Sequence, residues 1–175
     1  MIRITSETWK YGFSALVVLL IVGSDLVSKY FVQHFLPRGR EIPLVTEHLH
    51  LVHVHNLGAA FGLFSGLDAR IRFLFFTVVI IIASIVLIEL IRQTSVKNLS
   101  EVTAFAAILG GALGNFINRL TIGHVTDFIS VHWKSVYHFP AFNFADIAIC
   151  LGIGTLLLLN FTKNNNKMLK DSIHA

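Results

Sequence analysis

Charge is what this sequence has least of. Only 14% of its 175 residues are Asp, Glu, Lys or Arg, against roughly a quarter in a soluble domain. Hydrophobic residues make up 54%, Phe alone occurs 15 times, and the mean hydropathy is +0.71. So little polar surface cannot cover a water-soluble fold, and the composition predicts a bilayer as solvent. The net charge of +4 does not gather into a basic stripe. The basic residues stand at segment ends, as membrane-flank charges do, which argues against a nucleic-acid partner and for membrane lipids. A single cysteine, Cys150, excludes an internal disulfide framework and any multi-cysteine metal site. Inside an apolar run, it reads as a packed or lipid-facing hydrophobe.

Charge-free stretches of full spanning length are also missing. Four apolar runs stand out, Tyr11–Ser24, Phe73–Ile88, Val102–Ile117 and Ile147–Thr162, each short of the ~20 residues that cross a hydrocarbon core. Each helix must therefore continue into polar sequence at one end. The first continues through Asp25 and Lys29, the third through Asn118 and Arg119, and the fourth begins upstream at Asn143 or Asp146. The first run follows Arg3 and Lys10, as in a signal peptide, but it lacks a small-x-small cleavage pattern and reads as a retained helix.

The expected fold is an all-α integral membrane protein. Four transmembrane helices, about 11–33, 71–91, 101–119 and 143–162, form one membrane domain spanning 1–175. The segment of about 36–70 lies outside the membrane. In it Leu49–His55 alternates as a short strand of a β-cradle, after a turn marked by Pro37, Gly39 and Pro43. Leu120–Pro140 reads as a loop whose Trp133, Tyr137 and Phe139 suit an interface, and 163–175 reads as a frayed polar tail. Four spans put both termini on one side. Arg3, Lys10, Arg92, Lys97, Lys163, Lys167 and Lys170 fall there, against Arg38, Arg40, Arg70, Arg72 and Lys134 opposite, a bias for cytoplasmic termini. The polar helix ends then face outward.

An ionisable residue in a spanning segment marks a functional site by default. Asp127 follows the third helix and Asp146 starts the fourth, so antiparallel helices bring them to one membrane face. Two carboxylates in a partly apolar site share a proton. The ionised one takes a proton from water while the other donates to a carbonyl oxygen, which is amide hydrolysis without a metal or covalent intermediate. Taken singly, Asp146 also suits a first-turn acid with Asn143 as N-cap, and Asp127 a headgroup-level loop acid.

Other residues converge on the same end. Asn56-Leu-Gly-Ala-Ala-Phe61 joins an amide to small residues, Gly58, Ala59 and Ala60, that let a chain approach closely. In Gly110-Gly-Ala-Leu-Gly-Asn-Phe-Ile-Asn-Arg119, Gly110 and Gly114 form a packing face, and Asn115, Asn118 and Arg119 share one helix face. Asp25 and Lys29, four apart, either pair with each other or leave Lys29 for a headgroup or substrate. His48, His50, His53 and His55 cluster on the strand. With no acid or thiol at a recognised spacing to complete a zinc site, they read as surface histidines, and neither metal nor cofactor is expected.

Taken in order, Asp25-Leu-Val-Ser-Lys29, Asn56-Leu-Gly-Ala-Ala-Phe61, Gly110-Gly-Ala-Leu-Gly-Asn-Phe-Ile-Asn-Arg119, Val125-Thr-Asp-Phe128 and Phe142-Asn-Phe-Ala-Asp146 resemble the motif series of the bacterial lipoprotein signal peptidases (signal peptidase II), over nearly the whole chain. The resemblance implies an inner-membrane aspartic endopeptidase with its site facing the periplasm. It implies removal of the signal peptide of a prolipoprotein, before a cysteine that already carries diacylglycerol. By matching motifs, Asp127 and Asp146 would be the catalytic dyad. Asn56, Asn115 and Arg119 would bind substrate or support the dyad, and Asp25 and Lys29 would belong to its polar shell. It also implies inhibition by the cyclic peptide globomycin. A monomer is expected. Asn118 departs from the family's usual Asp, which leaves Arg119 to a substrate carbonyl, a lipid group or Asp127; Thr126 stands where Val is common.

Two other classes fit the pattern less well. A transporter or proton relay would string ionisable groups at several depths, whereas here they gather at helix ends on one face. A non-catalytic scaffold leaves the two aspartates without a role.

Overall fold

The computed structural model describes residues 6–58, 63, 64, 66–133 and 137–173. Ala59, Ala60, Phe61 and Lys134 lie outside them, and at Ser6, Trp133, Tyr137 and 167–173 the backbone alone is described. The order is α1 (Ser6–Phe35), β1 (Glu41–Val45), β2 (Leu49–Asn56), α2 (Ala69–Gln93), α3 (Leu99–Ile122), β3 (Val125–Trp133), β4 (Tyr137–His138) and α4 (Phe144–Ile173).

Each helix outruns its apolar core, as the short runs require. Spans of 29, 25, 24 and 23 residues are long and apolar enough to cross a membrane. At 1.5 Å per residue even the shortest reaches about 34 Å. Outward faces are apolar: Leu19, Leu74, Leu158 and Phe161 are all more than 60% exposed. The fully buried side chains include Lys10, Asp25, Lys29 and Asn143. Polar groups inside and apolar groups outside is the distribution that lipid imposes. Cys150 is exposed on this surface.

Helix α3 is central, packing on α1, α2 and α4. Its glycines make that possible. A Cβ on Gly114 would lie 2.6 Å from Asp25 Oδ2, and one on Gly111 2.4 Å from the Ala145 carbonyl oxygen. Gly110 and Gly114 thus face α1 as a small-residue seam, while Gly111, not singled out in the sequence, faces α4. Gly114→Ala is expected to lower stability by roughly 1–3 kcal/mol, read as the thermal unfolding midpoint in detergent; an unchanged midpoint would disprove this close approach.

At the membrane end away from the sheet, Lys10 Nζ reaches the carbonyls of Arg92 and Thr94, at 3.0 and 2.9 Å. A buried cation there satisfies the open carbonyls at the end of α2. Near it, Ile91, Val102 and Ala106 form a small core with Phe13, Val17 and Val18.

The cradle takes strands from two connections. All neighbours in the order β1-β2-β3-β4 are antiparallel, so the segment after α1 supplies two strands and the stretch after α3 the others. Val125–Trp133, expected as loop, is a nine-residue strand. Its β-branched residues pair across to β2, and Phe128 packs with Val32 and Leu36 of α1. The expected frayed tail is also corrected: α4 runs on to Ile173. Its first polar turn is tied to the bundle where Lys163 pairs with Glu101 of α3.

Candidate active site

Strand pairing brings the two aspartates together. Phe142, just before α4, forms a bridge with Ile129 of β3, donating to the Ile129 carbonyl at 2.9 Å. That clamp sets Asn143 beside Asp127. Asn143 Oδ1 accepts from the Asp146 backbone N–H at 3.0 Å, and Asp146 Oδ2 accepts from the Asn143 N–H at 3.1 Å. This reciprocal cap starts α4. The capping and site readings of Asp146 are therefore one arrangement.

Asn143 also joins the acids. Its Nδ2 donates to Asp127 Oδ1 at 2.7 Å and to Asn115 Oδ1 at 3.1 Å. Asn56 Nδ2 donates to Asp127 Oδ2 at 3.0 Å, and Asn115 Nδ2 to Asp146 Oδ1 at 2.8 Å. Both carboxylates are thus oriented by amides, which supply donors without adding charge. Asp127 is buried, and Asp146 is half-buried. Burial raises Asp127 from the usual carboxylate range to about 6, and the charge of Asp146 adds to the rise. The Asn56 and Asn143 bonds and Lys29 oppose it.

Asp25 and Lys29 form the underside. Lys29 Nζ lies 2.7 Å from Asp25 Oδ2 and 2.8 Å from Asn115 Oδ1, so the intrahelical pair forms and also reaches the site. Asp25 Oδ1 accepts from the Ala145 N–H at 3.0 Å, tying α1 to the first turn of α4. The pair thus fixes two helices and the amide that holds Asp146.

Arg119 does not turn to a carboxylate. Its Nη2 donates to the Gly58 carbonyl at 2.6 Å, and the guanidinium lies 4.2 Å from the centre of the Phe76 ring. Gly58 N–H in turn donates to Asn56 Oδ1 at 3.0 Å. Arg119 therefore steadies the turn that presents Asn56, beside a groove lined by Leu57, Phe73, Phe76 and Gly123. Its Nε is buried with no hydrogen-bond partner among the described residues.

Asn118 points the other way. It is buried, and its Oδ1 accepts from the Thr126 N–H at 2.7 Å, one residue before Asp127. An amide accepts here as a carboxylate would, so the departure from the family pattern keeps this contact. Asn118→Ala is expected to cost about 1–3 kcal/mol by stranding that buried N–H, while Asn118→Asp keeps the acceptor. Unfolding midpoints of the two variants check this; equal losses would contradict it.

Sequence reasoning missed Gln33, whose Nε2 donates to Thr126 Oγ1 at 2.7 Å. The signal was there: Asp25, Lys29 and Gln33 follow at four-residue steps on one helix face. It also missed an acid among the histidines. Glu41 of β1 stands with His50 and His132. His53, expected on the surface, is buried.

Two solved structures of bacterial membrane enzymes determined in meso share this fold. One matches at 31% identity and TM-score 0.81, covering 89% of this chain and 92% of its own. The other has TM-score 0.73 at 31% identity, with 85% and 92% covered. The chain is thus a multi-pass membrane protein with the architecture of a membrane enzyme. The family model described as signal peptidase (SPase) II matches residues 17–162. Lipoprotein signal peptidases of Syntrophotalea carbinolica and Coxiella burnetii are 39% and 40% identical over 143 and 155 residues. These alignments cover 82% and 88% of this chain and 87% and 91% of the relatives. The chain belongs to the signal peptidase II family, aspartic peptidases that remove signal peptides from prolipoproteins.

Proposed function

We propose that Asp127 and Asp146 are the catalytic pair and that water held between them cleaves the peptide bond before a diacylglyceryl cysteine. The observation that carries this reading is the bridge through Asn143, which binds both acids while Asp127 is raised to about 6. Below that pH the shared proton rests on Asp127. The Asp146 carboxylate then takes a proton from water, whose oxygen attacks the scissile carbonyl carbon. Asp127 gives its proton to the carbonyl oxygen, forming a tetrahedral diol. As the C–N bond breaks, the departing amine takes the proton from Asp146, and the diol proton returns to Asp127. The pair ends as it began.

Asn56, Asn115 and Asn143 keep the carboxylates aimed and offer hydrogen bonds to the substrate backbone. Arg119 and the adjoining groove, with Gly58, Ala59 and Ala60, would receive the chain beside the cut. Asp25, Lys29 and Asn118 act beneath as supports. The signal helix and the lipid of the cysteine would lie against the exposed apolar faces of the spans. Such a protein works as a monomer in the cytoplasmic (inner) membrane. The basic bias of the terminal side supports cytoplasmic termini and a periplasmic site. Globomycin would compete for the same cleft.

The test uses purified protein in detergent with a prolipoprotein supplied with or without its diacylglyceryl group. The lipidated precursor alone is expected to shift on a gel, with globomycin blocking the shift and chelators leaving it intact. Cleavage of neither precursor, or of both equally, would refute the reading. Loss on chelation, restored by zinc while Asp127→Asn still cleaves, would transfer the chemistry to the histidines.

A further inference from the structure

A second group of ligand-type side chains lies on the sheet, apart from the aspartates. Glu41 is on β1, His50 on β2 and His132 on β3. His50 is opposite both Pro43 and Ser130, and Glu41 and His132 are each two residues from those partners. The two-residue period of a strand therefore puts all three on one face. His50 Nδ1 is hydrogen-bonded to Glu41 Oε1, and His132 Nε2 lies 3.5 Å from the same oxygen. One ligand atom from each of the three lies within 4.8 Å of the other two. Neighbouring ligands on a tetrahedral zinc with bonds of 2.0–2.1 Å are about 3.3 Å apart, so small side-chain adjustments close the set.

Each ring nitrogen facing the cluster already has a polar neighbour, Ser130 Oγ at 2.7 Å from His132 Nε2 among them. The two imidazole rings are 4.1 Å apart, centre to centre, and converge on one carboxylate oxygen. His50 Nε2 is buried with no hydrogen-bond partner among the described residues. Glu41 is half-exposed, which leaves a way in for an ion.

We propose that Glu41, His50 and His132 bind a divalent transition cation, zinc foremost, that clasps β1, β2 and β3 together. Two imidazoles and one carboxylate make a recognised zinc donor set, with water in the fourth position. β2 also carries Asn56, and β3 carries Asp127. The cation braces the strands that present both residues while standing outside the cleavage chemistry. This assignment is independent of the peptidase reading.

The experiment uses the untagged full chain in detergent, stripped with a chelator. Zinc is titrated calorimetrically, and cobalt(II) by its visible absorption. One equivalent is expected to bind saturably and to raise the thermal unfolding midpoint. Glu41→Gln and His132→Ala should each weaken binding at least about tenfold, no less than the loss of an outer-shell partner. Glu41→Gln, at a half-exposed side chain, should keep the metal-free midpoint, which separates a lost ligand from a lost fold. The neighbouring His53, His55 and His124 group is the control, and His55→Ala should bind as the parent does. Absence of saturable binding overturns the proposal. So does binding that survives Glu41→Gln and His132→Ala, or that disappears with His55→Ala instead.

Discussion

Asp127→Asn and Asp146→Asn are each expected to leave a lipidated prolipoprotein uncut, with activity down at least about a thousandfold. An amide can neither take nor give the proton, and positioned acid–base groups contribute about 10²–10⁴-fold each. Precursor accumulation on a gel, with the variant still in the membrane, is the measurement; normal processing in both would sink the assignment. The two variants should differ in stability. Asp146→Asn alters a helix cap, a change of about 1 kcal/mol. Asp127→Asn removes a buried carboxylate whose pKa of about 6 lies above the unfolded value. The stabilisation from that raised value is present below about pH 4 and is lost as pH rises to about 6. Ionised Asp127 then costs the folded state roughly 3 kcal/mol. Asp127→Asn should therefore lose this pH dependence of stability, at the cost of one hydrogen bond from Asn56 or Asn143, and be inactive. Asp146→Asn should also lower the Asp127 titration midpoint by removing a neighbouring negative charge. Carboxyl NMR or infrared titration of the free enzyme reads that shift. Substrate docking dries the site and pushes the value further up, so the alkaline fall in turnover should lie above pH 6.

Lys29→Met is expected to be the most destabilising single change. It leaves Asp25, fully buried, without its cation, and breaking such a pair costs about 3–5 kcal/mol. It also strips Asn115 of a donor, so any residual fold should cleave poorly. Restoring charge balance is the informative step. The double variant Asp25→Asn with Lys29→Met should recover most of the loss, since the amide introduced on α1 still offers an oxygen to the Ala145 N–H. Unfolding midpoints of the two singles and the double form a cycle. Additive losses would show that Asp25 and Lys29 do not act as a pair.

Much of the site was legible because spanning helices make polar residues conspicuous. Asp25, Lys29, Asn115, Arg119 and Asp146 stand at the ends of apolar runs, and lipid tolerates such groups only when they are turned inward and paired. The small residues of α3 announced close packing, though Gly111 escaped notice beside its neighbours. What stayed hidden lies outside the spans. β3 reads as an irregular loop because its strand character depends on pairing with β2, far earlier in the chain. Glu41 and His50 come from one connection and His132 from another, so no spacing rule joins them.

By itself, then, the sequence determined the solvent, the four spans and that the two aspartates lie at one end of the bundle. Helix length and the cost of charge in lipid leave few alternatives. Only the tertiary structure decided how those acids are held. The bridge between β3 and Phe142 places Asn143 between Asp127 and Asp146, Arg119 turns to a carbonyl, and Asn118 supports the strand. Those choices depend on register and side-chain direction, which arise when distant segments pair and which no local pattern encodes.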